Sequence, residues 1–202
     1  MSEVAKREKP GLKILDVGCG SGWLSRELAN YGTVTATDLS GKVIEDLKQK
    51  YPAVKWIGGD FLSIDLPDDY FDIVACLETI AHVPDQMRFA QRIAKVLRRG
   101  GTLLLTTQNE YTWSRTSSLK PPREGQIRNW PSRDRLRELF SNEFALDEII
   151  TCAPGGDRGL PRLVNNRIAR ALGKRLFGEM KWVKMRESWG FGCSLFLIGT
   201  RR

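Results

Sequence analysis

The chain has 202 residues, of which 41% are hydrophobic and 28% are charged, and its formal net charge is +8. This length and composition predict one globular domain, 1–202, with a sizeable core, and they exclude a disordered or fibrous chain. No apolar run approaches the roughly 20 residues of a transmembrane helix, and the charged start lacks the apolar core of a signal peptide. Four widely spaced cysteines without a CxxC pair indicate free thiols and a cytoplasmic setting.

The first half of the chain, 1–107, alternates apolar strands with helical patterns. Strands are predicted at 12–17, 33–38, 54–58, 71–77 and 102–107, and helices at 21–31, 40–50 and 84–98. Such alternation predicts an α/β fold with a doubly wound, mostly parallel sheet. Ligands of such sheets bind at the carboxyl ends of the strands.

The alternation loosens in the second half, 108–202. A long loop is predicted at 108–130, followed by a helix to Phe140, a strand at 144–151 and a last strand at 192–200. Between the last two strands, residues 153–189 form a predicted basic helical insertion. We expect the first half to bind a cofactor and the second half to form the substrate side.

The most informative motif is the turn after the first strand, where Gly18, Gly20 and Gly22 alternate with other residues. Glycine has no Cβ, so such a turn can tighten and let a ligand lie against bare backbone. Asp38 closes the next strand, where a carboxylate can accept hydrogen bonds from a ribose diol. Together these features predict a nucleoside-bearing ligand.

The Gly-x-Gly-x-Gly spacing fits the G-x-G-x-x-G pattern of dinucleotide-binding proteins poorly. It resembles motif I of the class I S-adenosylmethionine-dependent methyltransferases, here Asp16-Val17-Gly18-Cys19-Gly20-Ser21-Gly22. Asp38, the segment Gly59-Asp60-Phe61 and the segments 66–74 and 97–103 match later family motifs in order. The resemblance covers about 12–107 and implies a seven-stranded, Rossmann-like methyltransferase fold whose last strand is antiparallel.

The resemblance also implies S-adenosylmethionine as the cofactor. It assigns the ribose hydroxyls to Asp38, the adenine amine to Asp60 and the amino end of the methionine portion to Asp16. The cofactor-binding residues predicted in this way are Asp16, Gly18, Gly20, Gly22, Asp38, Leu39, Asp60 and Phe61.

Glu78 and His82 follow the fourth strand and are the predicted catalytic residues. Their segment resembles the E-x-x-E-H-V sequence of ubiquinone-type O-methyltransferases and of small-RNA 3′-end methyltransferases, which can hold a divalent cation. Ala81 stands where the second glutamate would be, so we predict no metal site. His82 is the candidate general base, and a histidine that caps the loop or packs against the cofactor is the alternative. Glu78 would orient His82 or the substrate.

Tyr111, Trp113 and Arg115 follow the fifth strand and are the predicted substrate residues, because they offer aromatic and cationic surface there. Packing of the loop onto the domain is the alternative for each of them.

The segment from Arg158 to Arg186 contains nine basic residues and one acid, which accounts for a charge of +8. One interpretation is an amphipathic helix that docks on its own domain, with an apolar pattern of Leu160, Leu163, Val164, Ile168, Leu172 and Leu176. A second is contact with an anionic membrane or a lipid-linked substrate. A third is capture of an anionic substrate, including RNA.

The favoured function is methyl transfer to a small-molecule or lipid-like acceptor, at oxygen rather than nitrogen. An RNA methyltransferase is the alternative enzyme, although the chain lacks an N/D-P-P-Y/F motif after the fourth strand. A catalytically silent regulatory domain that binds S-adenosylmethionine is the alternative outside the enzymes. The sequence does not predict the oligomeric state.

Overall fold

The computed structural model describes residues 11–116 and 118–202, without the side chain of Glu148. Its strands are β1 Leu12–Val17, β2 Gly32–Asp38, β3 Lys55–Gly58, β4 Phe71–Leu77, β5 Leu97–Gln108, β6 Phe144–Pro154 and β7 Gly192–Arg201. Its helices are α1 Trp23–Leu28, α2 Gly41–Lys50, α3 Gln86–Val96, α4 Glu110–Trp113, α5 Arg133–Phe140, α6 Gly159–Asn165, α7 Arg167–Phe177 and α8 Glu179–Ser188. One turn of 3₁₀ helix spans Ile80–His82.

The seven strands form one sheet in the order β3-β2-β1-β4-β5-β7-β6. Only β7 runs against its neighbours, and it pairs antiparallel with β5 and β6. The predicted seven-stranded, mostly parallel fold is therefore confirmed. In this order β1 lies between β2 and β4, so the turn that follows β1 lies at the centre of the carboxyl edge.

Two apolar layers cover the sheet, which explains why its central strands are apolar at nearly every position. Leu15 and Val17 pack with residues of α3 and α5 in one layer. Ile14 packs with residues of α1 and α2 in the other layer. Cys76 in β4 is buried and free, and burial raises the pKa of its thiol to about 12, so it acts as a small core residue.

Three predicted helix starts are confirmed by their side-chain caps. The hydroxyl of Ser40 accepts from the Val43 amide at the start of α2. The Asp85 carboxylate caps α3, and the Ser132 hydroxyl caps α5. Each cap satisfies an amide that has no partner within the first helical turn.

Two helices are shorter than predicted, and β5 begins earlier than predicted, at Leu97. α3 ends at Val96 rather than at Arg98, because Leu97 is fully buried and already pairs with Phe71 in the sheet. α1 begins only at Trp23 because the backbone of Gly22 is left-handed, with a φ of 72°. Both errors arise where tertiary pairing or a turn overrides the local helical pattern.

The basic insertion forms three helices, α6 to α8, which leave and rejoin the sheet at its carboxyl edge between β6 and β7. A chain of aromatic rings attaches it to the domain: Phe177, Trp182, Trp189, Phe191 and Tyr111, with successive centroids 5.7–6.4 Å apart. The leucines of the predicted docking pattern are exposed instead of packed. The interpretation that they dock on their own domain is therefore wrong.

The helices of the described residues are too short and too polar for any of them to cross a membrane.

Candidate active site

The turn after β1 requires glycine for two different reasons. Gly18, Gly20 and Gly22 all have positive φ angles, of 74°, 51° and 72°. A Cβ on Gly18 would overlap the side chain of Thr79, and a Cβ on Gly22 would come within 2.7 Å of Trp56. A Cβ on Gly20 would meet nothing within 4 Å. Gly18 and Gly22 are thus fixed by packing, whereas Gly20 lies against open space that a ligand can use.

We expect Gly18→Ala to destabilise the protein clearly more than Gly20→Ala, although both place alanine at a positive φ. The left-handed backbone costs each variant about 1–2 kcal/mol. Gly18→Ala adds the overlap with Thr79, whose hydroxyl donates to the carbonyls of Val17 and Leu77 and is therefore held in place. Urea denaturation measures the two losses, and equal losses would contradict the packing role of Gly18.

Asp38 ends β2 beside the glycine turn and organises it. Its carboxylate accepts from the backbone amides of Gly20 and Ser40, both at 2.9 Å. A carboxylate has about four acceptor sites, so capacity for further donors remains on both oxygens. This geometry suits a pair of ribose hydroxyls.

Asp60 and Phe61 follow β3 along the same edge. The Asp60 carboxylate accepts from the Leu62 amide at 3.0 Å, which shapes the turn. The Phe61 ring is buried edge-on against Phe89, at a centroid distance of 5.3 Å.

A cavity of about 540 Å³ connects these residues, a volume typical of small-molecule sites. Seven predicted site residues line it: Gly18, Asp38, Leu39, Asp60, Phe61, Glu78 and His82. Because the sheet order is β3-β2-β1-β4, Asp38 and Asp60 lie on one side of the glycine turn and His82 on the other. The cavity thus spans the predicted nucleoside end and the predicted catalytic end.

Asp16 lies at the end of β1 and is almost completely buried, so it does not line the cavity. Its carboxylate accepts from the Ser25 hydroxyl at 2.6 Å. Burial raises the pKa of Asp16 to about 6, the charge of Asp38 adds to the increase, and the bond from Ser25 opposes it. No basic side chain among the described residues forms an ion pair with Asp16. A cationic ligand group nearby would therefore lower the free-energy cost of ionising the Asp16 carboxyl.

Glu78 and His82 stand at the end of β4. The backbone of Glu78 is left-handed, with a φ of 58°, and its amide donates to the Thr106 carbonyl at 2.9 Å. A strained non-glycine residue at the end of a central strand is typical of functional sites. Burial raises the pKa of the Glu78 carboxyl, and hydrogen bonds from Thr106 and Ser194, with the neighbouring His82, oppose that increase.

The ring of His82 is oriented by one hydrogen bond. Its Nδ1 lies 3.0 Å from the carbonyl oxygen of Ile127. A carbonyl only accepts, so Nδ1 carries the proton and donates it, which leaves Nε2 of the neutral ring as an acceptor.

Sequence reasoning did not predict that the loop segment 127–129 covers the cavity beside His82. The Asn129 amide donates to the Ala81 carbonyl at 2.9 Å, and the buried Gln86 side chain donates to the carbonyls of Asn129 and Ile80. These bonds hold Ile127 over the cavity. Gln86 is polar at a core position of an amphipathic helix, and that was the one available signal.

Tyr111, Trp113 and Arg115 lie outside this cavity. The Arg115 guanidinium stacks over the Tyr111 ring at 4.0 Å, and Trp113 Nε1 donates to the Cys193 carbonyl at 3.0 Å. These contacts hold α4 against the start of β7. Their predicted role in substrate binding stays a prediction.

Ala81, at the position of the missing glutamate, is fully buried. Within the described residues, no three His, Cys, Asp or Glu side chains are grouped closely enough to hold a metal ion.

Residues 15–105 match the family model of the Methyltransferase domain. A ubiquinone biosynthesis O-methyltransferase of Xanthomonas campestris pv. campestris is 36% identical over 108 residues, which cover 50% of this chain and 44% of the relative. Its counterpart in Coxiella burnetii is 36% identical over 104 residues, with coverage of 49% and 44%. The chain thus spans less than half the length of these curated relatives.

The similarity of fold extends to the whole chain. The crystal structure of an S-adenosylmethionine-dependent methyltransferase from Mesorhizobium loti superposes with a TM-score of 0.70 at 19% identity, and the match covers 100% of this chain and 96% of that one. The comparisons confirm the predicted resemblance to S-adenosylmethionine-dependent methyltransferases, and the structural match confirms the fold. The open space at Gly20, the acceptors of Asp38 and the buried carboxylate of Asp16 fit the cofactor chemically.

Proposed function

We propose that the protein transfers a methyl group from S-adenosylmethionine to a hydroxyl oxygen of a small-molecule or lipid-like acceptor. The observation that carries the proposal is the hydrogen bond between His82 Nδ1 and the Ile127 carbonyl. It leaves Nε2 as a proton acceptor beside the cavity that His82 and Ile127 both line.

The cofactor supplies an electrophilic methyl group, so the protein mainly has to position the acceptor. Asp38 would accept from the ribose hydroxyls, and Asp60 from the adenine amine. Asp16, which does not line the cavity, would attract the ammonium group of the methionine portion through its charge. Orientation of the two reactants can be worth an effective molarity of about 10⁵–10⁸ M.

His82 would take the proton of the acceptor hydroxyl on Nε2 as the oxygen becomes nucleophilic. A neutral amine needs no such base, so the oriented histidine favours oxygen over nitrogen. Beside His82 the cavity is lined by Val83, Pro84 and Ile127, which suits an apolar or aromatic acceptor. The four free cysteines accord with a cytoplasmic setting.

Two alternatives have weaker support. An RNA methyltransferase would draw on the basic insertion for phosphate contacts. A silent regulatory domain would need only the cofactor-binding residues, and the orientation of His82 would then have no catalytic role.

Formation of S-adenosylhomocysteine with a panel of phenols, long-chain phenols, matched anilines and RNA oligonucleotides tests these functions. We expect turnover with phenols and little with anilines, and EDTA should not abolish it. Turnover with RNA alone would contradict the proposal. Tight binding of S-adenosylmethionine without turnover of any acceptor would favour the silent domain.

We expect His82→Ala to lower kcat by about 10²-fold or more, the range of general-base catalysis, while the Kd for S-adenosylmethionine changes less than about twofold. Steady-state kinetics and calorimetry measure the two effects. His82→Asn is the matched control, because its amide nitrogen is bonded to Cγ as Nδ1 is, so it can still donate to the Ile127 carbonyl but cannot take a proton at neutral pH. If the asparagine variant keeps wild-type turnover, His82 positions the loop that contains Ile127 and is not the base.

A further inference from the structure

The helices α6, α7 and α8 expose an unusual amount of apolar side chain. Of the 13 large hydrophobic residues exposed in the described parts of the chain, eight lie between Leu160 and Trp189. Ile168 is 80% exposed, Leu172 55% and Leu176 64%, and these three recur at four-residue intervals along one side of α7. We refer to them as the α7 apolar row. Leu160 and Leu163 on α6 and Met180 on α8 are also exposed.

The fold does not need this row for packing. α7 packs through another side, where Gly173 is buried so closely against the Trp182 ring that a Cβ would overlap it. Phe177 stacks on the same indole at 6.0 Å. Because α7 already has a buried side, its apolar row is a second apolar surface. Such a surface is typical of a binding site.

The same helices carry a large excess of positive charge. Residues 159–188 contain eight basic residues and two acids, Glu179 and Glu187, and Glu179 pairs with Lys174 at 2.7 Å. Arg175 lies beside the α7 apolar row, and Lys184 is exposed on α8 next to Met180 along the helix surface.

A cavity of about 340 Å³ lies on the other side of α7 from the apolar row, and four of these cations line it. It is lined by Arg167, Arg170, Lys174 and Arg186, together with the acid Glu179. Arg186 is a buried residue whose guanidinium donates to the Asn165 side chain and to the Trp182 carbonyl. Burial and the charge of Arg170 lower the pKa of Arg186, and the charge of Glu187 opposes that decrease. This concentration of charge would be relieved by an anionic group such as a phosphate.

We propose that α6, α7 and α8 form a docking surface for a bilayer that contains anionic phospholipid. Exposed aliphatic side chains bordered by arginine and lysine are typical of helices that lie in the membrane interface. The apolar row would enter the boundary between headgroups and acyl chains, and the flanking Arg175 and Lys184 would contact lipid phosphates. The surface begins and ends at the carboxyl edge of the sheet, where the active-site cavity also lies.

Other partners fit these helices less well. RNA binding uses basic residues with aromatic stacking surfaces, whereas the exposed row here consists of isoleucine and leucine. The core of a protein interface is depleted in charge, whereas Arg175 lies directly beside the row. The docking proposal does not depend on which molecule accepts the methyl group.

Co-sedimentation of the full chain with vesicles tests the proposal. We expect binding to vesicles of phosphatidylcholine and phosphatidylglycerol, and at least about tenfold weaker binding to phosphatidylcholine alone. The double variant Leu172→Gln, Leu176→Gln should lose about tenfold or more in partitioning, since glutamine keeps the helix but removes two apolar anchors. Tyr70→Gln is the matched control, because Tyr70 is also exposed but precedes β4 at the opposite edge of the sheet.

The contribution of charge is tested separately. Arg175→Gln, Lys184→Gln should weaken binding to the anionic vesicles about tenfold or more, at about fivefold per charge. Lys42→Gln, Lys50→Gln on α2 removes the same charge elsewhere and should have little effect. Equal binding to both vesicle types, or variants equal to their controls, would overturn the proposal. Tighter binding to an RNA oligonucleotide that the leucine variant leaves unchanged would also overturn it.

Discussion

Asp38→Ala should weaken binding of S-adenosylmethionine by about 10²–10⁴-fold. Two hydrogen bonds from ribose hydroxyls to a carboxylate would be lost, at about 1.5–3 kcal/mol each. The variant also removes the acceptor that holds the amides of Gly20 and Ser40, so the turn that faces the cofactor would loosen. Titration calorimetry with S-adenosylmethionine and S-adenosylhomocysteine measures the change, and both ligands should be affected because they share the ribose.

Asp46→Ala is the matched control for this variant. Asp46 is exposed on α2, so its removal changes the net charge equally without touching the cavity. A folded Asp38→Ala protein with unchanged affinity would refute the ribose assignment. If both variants weaken binding equally, the effect is one of net charge.

Asp16→Asn should stabilise the protein by roughly 3 kcal/mol at pH 7–8 and at the same time weaken cofactor binding. The folded-state pKa of Asp16 is about 6, above its ordinary value of 3.8, chiefly because the carboxyl group is buried. Above pH 6 the folded state must therefore keep a buried charge that the unfolded state exposes to water. A difference of about two pKa units corresponds to roughly 3 kcal/mol, and asparagine avoids this cost while still accepting from Ser25.

The contribution of Asp16 to the free energy of unfolding depends on pH. Between about pH 4 and 6 the folded state binds more protons at Asp16 than the unfolded state, so this group makes stability fall as pH rises. Urea denaturation from pH 4 to 8 should show the wild type and Asp16→Asn converging at the acid end and separating toward pH 7. Asp46→Asn on α2 controls for the loss of one carboxylate. Parallel curves would contradict the assignment.

The first half of the fold, 1–107, was predictable because local and tertiary signals agree there. The bounds of β1 and β4 equal their predicted bounds, since both strands are buried on two faces and are bordered by turn residues. Asp38 and Asp60 could be placed at one edge because parallel strands end together. Asp16 entered the predicted set through the family resemblance, and its burial and raised pKa became visible only in the structure.

The second half was harder because its outcome depends on contacts between distant segments. Nothing local indicates that Ile127, in an irregular loop, meets His82 of the 3₁₀ turn. The leucine pattern of α7 correctly predicts a helix, but periodicity cannot say whether an apolar side faces the core or solvent. The packing of Gly173 on Trp182 decides that question, and a single glycine inside a helix gives no such signal.

The chain enters and leaves the insertion at one place, the paired ends of β6 and β7. Pro154 and Gly192 are directly paired, and the Gly155 amide donates to the Phe191 carbonyl at 2.9 Å. β6 and β7 therefore form a hairpin in which 156–190 takes the place of an ordinary tight turn. A segment attached in this way can be lengthened, shortened or exchanged without altering the register of any strand. The sheet and the insertion can therefore change in sequence independently of each other.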